Sequence, residues 1–185
     1  MFSGKNIAVV IASLPIKNTE EIKLIKDLLK QKNQIRDLLM FTLAINTGLD
    51  LVELLNLKVK DVKGKRYLSF GKQKCVPLND EIIELVEQVT KDKKLSEFLF
   101  QNQWGNRIDR SGVFYAFKNI YTELGLNKKY SVASWRKTFA YHYYEKYKDI
   151  SYLMWLFNQN AISSAFKFID VEENMNLRFR EGVCL

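Results

Sequence analysis

Apolar positions along this chain keep mostly helical spacing. Asn18-Thr19-Glu20-Glu21 places a capping asparagine three residues ahead of a glutamate, and Ile22, Leu24, Ile25, Leu28 and Leu29 then hold the helical period as far as Lys30. Residues 34–46 repeat the pattern through Ile35, Leu38, Leu39, Phe41, Thr42 and Ile45, and Gly48 supplies a stop. A short helix is predicted over 51–57. Residues 59–62 and 66–70 read as extended, and Gly71-Lys72-Gln73-Lys74 reads as a tight turn into Cys75-Val76, with Pro77 ending that strand.

Asn79 heads the next helix, carried by Ile82, Ile83, Leu85, Val86 and Val89, and Phe98-Leu99-Phe100 reads as a short extended piece before a polar loop over 101–109. Residues 111–124 form an amphipathic pattern with Val113, Phe114, Phe117, Ile120 and Tyr121 facing inward, closed by Gly125. Helices are predicted over 134–147, 151–157 and 162–168, and a last one from Val171 or Glu172. The expected fold class is mainly α with a small antiparallel β-hairpin (α+β), in one domain over residues 1–185.

Composition narrows the picture. Hydrophobic residues make up 47% of the chain, with only 8 glycines and 2 prolines, so collagenous and low-complexity classes are excluded and a turn-dense β-sandwich is disfavoured. Charge interrupts every apolar run well short of the ~18 residues a membrane span needs. The apolar stretch over 7–12 lacks a small-residue cleavage site and runs into Pro15-Ile16-Lys17, so no signal peptide is expected and the chain is expected to be soluble and cytoplasmic. Cys75, Cys184 and His142 are too few for a disulfide framework or a structural zinc site, and no metal or cofactor is expected.

Charge points to a partner. The 29 Lys+Arg against 21 Asp+Glu give a formal net charge of +8, which favours an acidic partner, and nucleic acid is the commonest one. Lys58, Lys60, Lys63, Lys65, Arg66, Lys72 and Lys74 crowd the predicted hairpin with Asp61 as the single acid among them.

Four segments then carry a resemblance. Thr47-Gly48-Leu49-Asp50, with Leu54-Leu55 and Leu57 after it, resembles the first box of the tyrosine recombinases (phage integrases), where the pattern reads Thr-Gly-Leu-Arg. The hairpin ending Val76-Pro77-Leu78-Asn79 resembles the family's strand pair, whose turn carries a catalytic lysine. Ala133-Ser134-Trp135-Arg136-Lys137-Thr138-Phe139-Ala140 resembles the second box, His-x-x-Arg-His/Lys-Thr-Phe. The stretch from Lys148 through Gln159 to Asp170 is similar to the one that carries the third-box histidine and the nucleophilic tyrosine. The likeness covers about residues 18–180, leaves 1–17 as an N-terminal extension, and resembles the stand-alone catalytic-domain members of phages and mobile elements.

Chemistry decides what the resemblance implies. Phosphodiester transfer needs cations on the non-bridging oxygens, a proton donor for the leaving oxygen and an oxygen nucleophile. By position, the first arginine is Asp50, the second-box histidine is Ala133, its arginine is kept as Arg136, the third-box residue is Gln159 and the tyrosine is Phe168. The hairpin lysine corresponds to Lys72 or to Lys74. Phe168 has a ring but no hydroxyl, and a carboxylate at position 50 repels the phosphate that an arginine would cradle. Two arginines gripping one phosphate need their heads together, so Asp50 is expected to pair with Arg136.

Carried over by position, the residues expected to meet double-stranded DNA are Lys58, Lys60, Lys72, Lys74, Arg107, Arg110, Arg136 and Lys137, with Arg107 and Arg110 as base readers at the start of the 111–124 helix. His142 is read as a packing or surface residue, Tyr143 as core, and Trp104, Trp135 and Trp155 as carrying no chemistry. Three functions follow. The first is a catalytically inactive recombinase-fold DNA-binding protein, a repressor-like regulator or accessory factor of a phage or mobile element. The second is an interaction module docking on another recombinase or on a second copy through residues 171–185. The third is a strand-transferase with an unusual nucleophile.

Overall fold

The computed structural model describes residues 13–70, 74–127 and 129–171. The stretch over 7–12, Lys72 with its turn, Cys184 and the segment 172–185 lie outside the described residues.

Helices α1 (Thr19–Gln31) and α2 (Ile35–Thr47) open the fold, the first capped by the Asn18 side chain, which accepts from the Glu20 N–H at 2.9 Å. Gly48 ends α2 with φ +70°, and a Cβ there would stand 2.6 Å from Phe139 Cδ1, so both conformation and space require glycine. Then come α3 (Leu51–Asn56), α4 (Val59–Val62), the hairpin strands β1 (Tyr67–Phe70) and β2 (Lys74–Pro77), and α5 (Asp80–Thr90). The chain closes with α6 (Arg110–Glu123), α7 (Ser134–Tyr147), α8 (Ile150–Phe157) and α9 (Ile162–Ile169).

The run 38–44 of α2, apolar but for Thr42, explains its central place. Leu38, Leu39, Met40, Phe41, Leu43 and Ala44 are all fully buried, and α2 packs against α1, α5 and α7. Trp135 of α7 joins this core edge-on to Phe41 and Phe117 at 5.9 and 4.5 Å between centroids, and its indole N–H donates to Tyr121 Oη at 2.7 Å. A second cluster, Ala140, Leu153, Phe166 and Ile169, joins α7 to α8 and α9. In the antiparallel hairpin Leu68 pairs with Val76 and both are buried, whereas Ser69 and Cys75 pair on the outer face.

Three expectations are corrected. Residues 59–62 are helical rather than extended, because the Asp61 carboxylate accepts from the Lys58 N–H at 2.8 Å and the Lys63 N–H reaches the Val59 carbonyl. Residues 98–100 form no strand; only Phe98 bridges, to Lys58. Phe114 points outward, 46% exposed, and meets Tyr115 edge-on at 5.7 Å.

The segment before α1 was read as an extension, but residues 13–17 are laid along α7. The Ile16 N–H donates to Thr138 Oγ1 at 2.9 Å, and Ile16 is fully buried. His142 donates through Nε2 to the Ile16 carbonyl at 2.9 Å, a packing role.

Candidate functional site

Half of the twelve predicted positions converge on one cleft. Asp50, Arg110, Ala133, Arg136, Lys137 and Phe168 line a space of about 600 Å³ together with Phe114, Tyr115 and Trp135. Its walls come from the start of α3, the start of α6, the start of α7 and the end of α9. Each polar group is set by the local logic of its helix.

Asp50 is the N-cap of α3. Its Oδ1 accepts from the Glu53 N–H at 2.8 Å, and Glu53 Oε2 accepts in return from the Asp50 N–H at 2.8 Å. The free oxygen of the same carboxylate, Oδ2, accepts from Arg136 Nη1 at 3.2 Å, and Glu53 Oε2 lies 3.9 Å from that nitrogen. Two carboxylates therefore face one guanidinium, so the trio is net negative. The expected pair is formed. Glu53 was overlooked as its second acid, although Asp50-x-x-Glu53 is the spacing of a capping box and was legible as one.

Arg136 is further fixed by the ring of Phe157, whose centroid lies 4.6 Å from Cζ. Its side chain is 26% exposed. Phe168 is half-buried, 5.2 Å from Phe157 between centroids, and the Lys137 ammonium lies 5.7 Å from its ring. Lys137 is otherwise occupied, because its Nζ donates to the Ser13 carbonyl at 2.7 Å. Gln159 does not line the cleft. It follows α8, its N–H donates to the Met154 carbonyl at 2.8 Å, and its buried Oε1 has no hydrogen-bond partner among the described residues.

The expected DNA contacts differ in freedom. Lys60, Arg107 and Arg110 are exposed, and none forms an ion pair among the described residues. Arg107 donates to Asn56 Oδ1, which ties the loop before α6 to the end of α3. Lys58 is half-buried, its ammonium 5.8 Å from the Phe98 ring. Lys63 is drawn away to the Thr90 carbonyl at 2.8 Å. Lys74 is the first residue of β2, paired with Phe70. Asp109 caps α6, and the hydrogen bonds of its carboxylate to Ser111, the backbone one foremost, hold it below the usual carboxylate range.

Tyr143 stacks on Tyr152 with centroids 4.7 Å apart, and burial, then Asp149, raises its phenol above the ordinary range, which suits a packing residue. Tyr115, 62% exposed, does line the cleft, and the helical pattern gave no reason to single it out. Among the described residues no group of three or more histidine, cysteine, aspartate or glutamate side chains is placed to hold a metal, and no helix is long and apolar enough to cross a membrane.

Residues 16–175 match the model of the phage integrase family. The chain belongs to that family. Among its relatives is the probable integrase/recombinase YoeC of Bacillus subtilis, 30% identical over 166 residues that cover 86% of this chain and 91% of that protein. The tyrosine recombinase XerD of Staphylococcus epidermidis is 25% identical over 163 residues, 79% of this chain, and the chain spans about half of its length, 54%. The mostly helical fold with its two-stranded sheet is that of the family's solved structures. The Tn1549 transposon integrase, solved in complex with transposon right end DNA, superposes with a TM-score of 0.72 at 16% identity, over 92% of this chain and 66% of that one. In this chain that fold brings Asp50, Ala133, Arg136 and Phe168 to one cleft and leaves Gln159 outside it.

Proposed function

We propose that this chain is a recombinase-fold protein that binds double-stranded DNA with its strand-transfer site disabled, and that it serves as a repressor-like regulator or accessory factor of a phage or other mobile element. One observation carries the reading. Arg136, the arginine kept from the family pattern, is occupied by Asp50 with Glu53 behind it, in a cleft where Phe168 offers a ring and no hydroxyl. A scissile phosphate entering there meets two carboxylates and finds no nucleophile at the position the family uses. Removing a single oxyanion donor from such a centre already costs about 3–4 kcal/mol.

DNA binding does not depend on that chemistry. Phosphate contacts supply most non-specific affinity, and Lys60, Arg107 and Arg110 remain exposed for them. The net charge of +8 and the DNA-bound integrase of the same fold support the partner. The test is a mobility-shift titration at several salt concentrations. Binding that weakens linearly in log salt is expected, and no binding to any duplex at about 50 mM salt overturns the reading.

A second reading is favoured by Tyr115, whose exposed side chain lines the same cleft as Arg136. There the chain is a strand-transferase with a relocated nucleophile. A covalent protein–DNA adduct with a suicide substrate, abolished by Tyr115→Phe, would establish it and retire the first.

A further inference from the structure

We propose that Trp104 is a DNA-contacting side chain, held out by a braced turn so that its indole packs against the sugar–phosphate backbone of the bound duplex; this rests on the reading that the chain binds double-stranded DNA. Of the large apolar side chains, Trp104 is strongly exposed, 74%, whereas Trp135 shows the ordinary fate of an indole, buried with its N–H satisfied by Tyr121. An indole left in water forgoes a large hydrophobic gain, and stacking on a partner recovers it.

The turn that carries Trp104 is built to keep it out. Asn102 Oδ1 accepts from the N–H groups of Trp104 at 3.0 Å and Asn106 at 3.1 Å. The Asn102 N–H donates to the Asn106 carbonyl at 2.8 Å, and the Gly105 N–H to the Asn102 carbonyl at 3.1 Å, with Gly105 at φ +78°. Below the turn Gln101 bridges Arg107, and Arg36 Nη1 donates to the Gln101 carbonyl at 3.0 Å. The indole therefore projects from a base fixed to α2 and, through Arg107 and Asn56, to α3.

The surroundings select the partner. Asn102, Gln103, Gly105 and Asn106 are polar or bare, so the indole has no second apolar anchor on its own turn. Arg107 and Arg110 follow within six residues, both exposed, and the intervening Asp109 is committed to capping α6. An exposed indole followed on the same stretch of chain by two exposed arginines, neither in an ion pair among the described residues, is a combination that nucleic acid fits, the ring packing on a sugar and the cations meeting phosphates.

The experiment compares the full chain with Trp104→Ala and Trp104→Phe on a mixed-sequence duplex of about 30 base pairs, reading affinity against salt, tryptophan emission and mass in solution. W104A is expected to bind at least about fivefold more weakly with an unchanged salt slope, W104F to keep most of the affinity, and duplex to quench emission in the native chain but not in W104A. Equal affinity and equal quenching in native protein and W104A overturn the proposal while leaving DNA binding in place. Native protein that binds no duplex overturns the DNA-binding reading and this contact with it. Self-association that W104A abolishes assigns the indole to a protein contact and also overturns it. Equal melting temperatures of native protein and W104A exclude misfolding as the cause of any loss.

Discussion

Asp50 gives one oxygen to the helix that it begins and the other to Arg136: Oδ1 accepts from the Glu53 N–H at 2.8 Å and Oδ2 from Arg136 Nη1 at 3.2 Å. A single carboxylate thus caps α3 and cancels a guanidinium. The two duties are separable by mutation, because a cap needs an acceptor oxygen whereas charge cancellation needs an anion.

Asp50→Asn is expected to keep the cap and to loosen Arg136, which is left with only the Glu53 carboxylate at 3.9 Å. Asparagine caps about as well as aspartate, so folding stability should change by less than about 0.5 kcal/mol. DNA affinity at low salt should rise by about threefold or more, and the salt slope should steepen by up to about 0.9 as Arg136 gains a phosphate. Asp50→Ala should show the same gain in binding with a loss of about 1 kcal/mol in denaturant unfolding. Unchanged salt dependence in Asp50→Asn would mean that Arg136 does not face DNA.

Phe168→Tyr restores the missing hydroxyl alone. The ring is half-buried on the cleft wall, so the added oxygen has room toward the open side. No covalent adduct with a suicide substrate is expected, because Asp50 and Glu53 still hold Arg136 and position 133 is still alanine. An adduct formed by the single variant would show that the ion pair opens for phosphate, and would refute its role in disabling the site.

Much of this was legible beforehand, and the exceptions have physical causes. Helices α1, α2, α5 and α6 carry side-chain caps or glycine stops, and sequence spacing located them to within a residue or so; α7 has neither, yet its bounds were also legible. Residues 59–62 were misread because β-branched valines favour strand locally, whereas the Asp61 cap decides for a helical turn. Phe114 was placed inside because an aromatic at helical spacing is normally core, but here α6 borders an open cleft on that side. The Asp50–Arg136 pair was deducible from the family pattern. The diversion of Lys137 to Ser13 was not, since it depends on the long-range docking of residues 13–17 along α7.

That diversion makes two neighbouring cations behave differently. Arg110 is exposed on the cleft rim, and Arg110→Ala should weaken DNA binding while lowering the salt slope by about 1. Lys137→Ala should leave the slope nearly unchanged and instead loosen residues 13–17, because its ammonium is spent on the Ser13 carbonyl. Hydrogen exchange at the Ile16 amide, which donates to Thr138, reports that loosening. Equal slope changes in both variants would show that Lys137 leaves Ser13 to meet phosphate.

Tyr121 and Tyr130 set the alkaline limit of the fold. Burial raises both phenols well above their ordinary range; at Tyr130 the hydrogen bond donated to Glu21 at 2.5 Å adds to it, and at Tyr121 the bond from the Trp135 indole partly opposes it. A raised value means that the native state holds these protons more tightly than the unfolded chain. The stabilisation is therefore complete below the ordinary phenol value of about 10 and is lost progressively as pH rises above it. Of the 9 tyrosines in the chain, Tyr121 and Tyr130 should gain tyrosinate absorbance only together with unfolding. Tyr130→Phe should remove one late-titrating group and cost about 1 kcal/mol, because the half-buried Glu21 carboxylate loses one donor and keeps Lys129 at 3.6 Å. Melting temperature followed from pH 8 to 11.5, together with absorbance at 295 nm, makes the measurement; a native state in which every phenol ionises near pH 10 would refute the assignment.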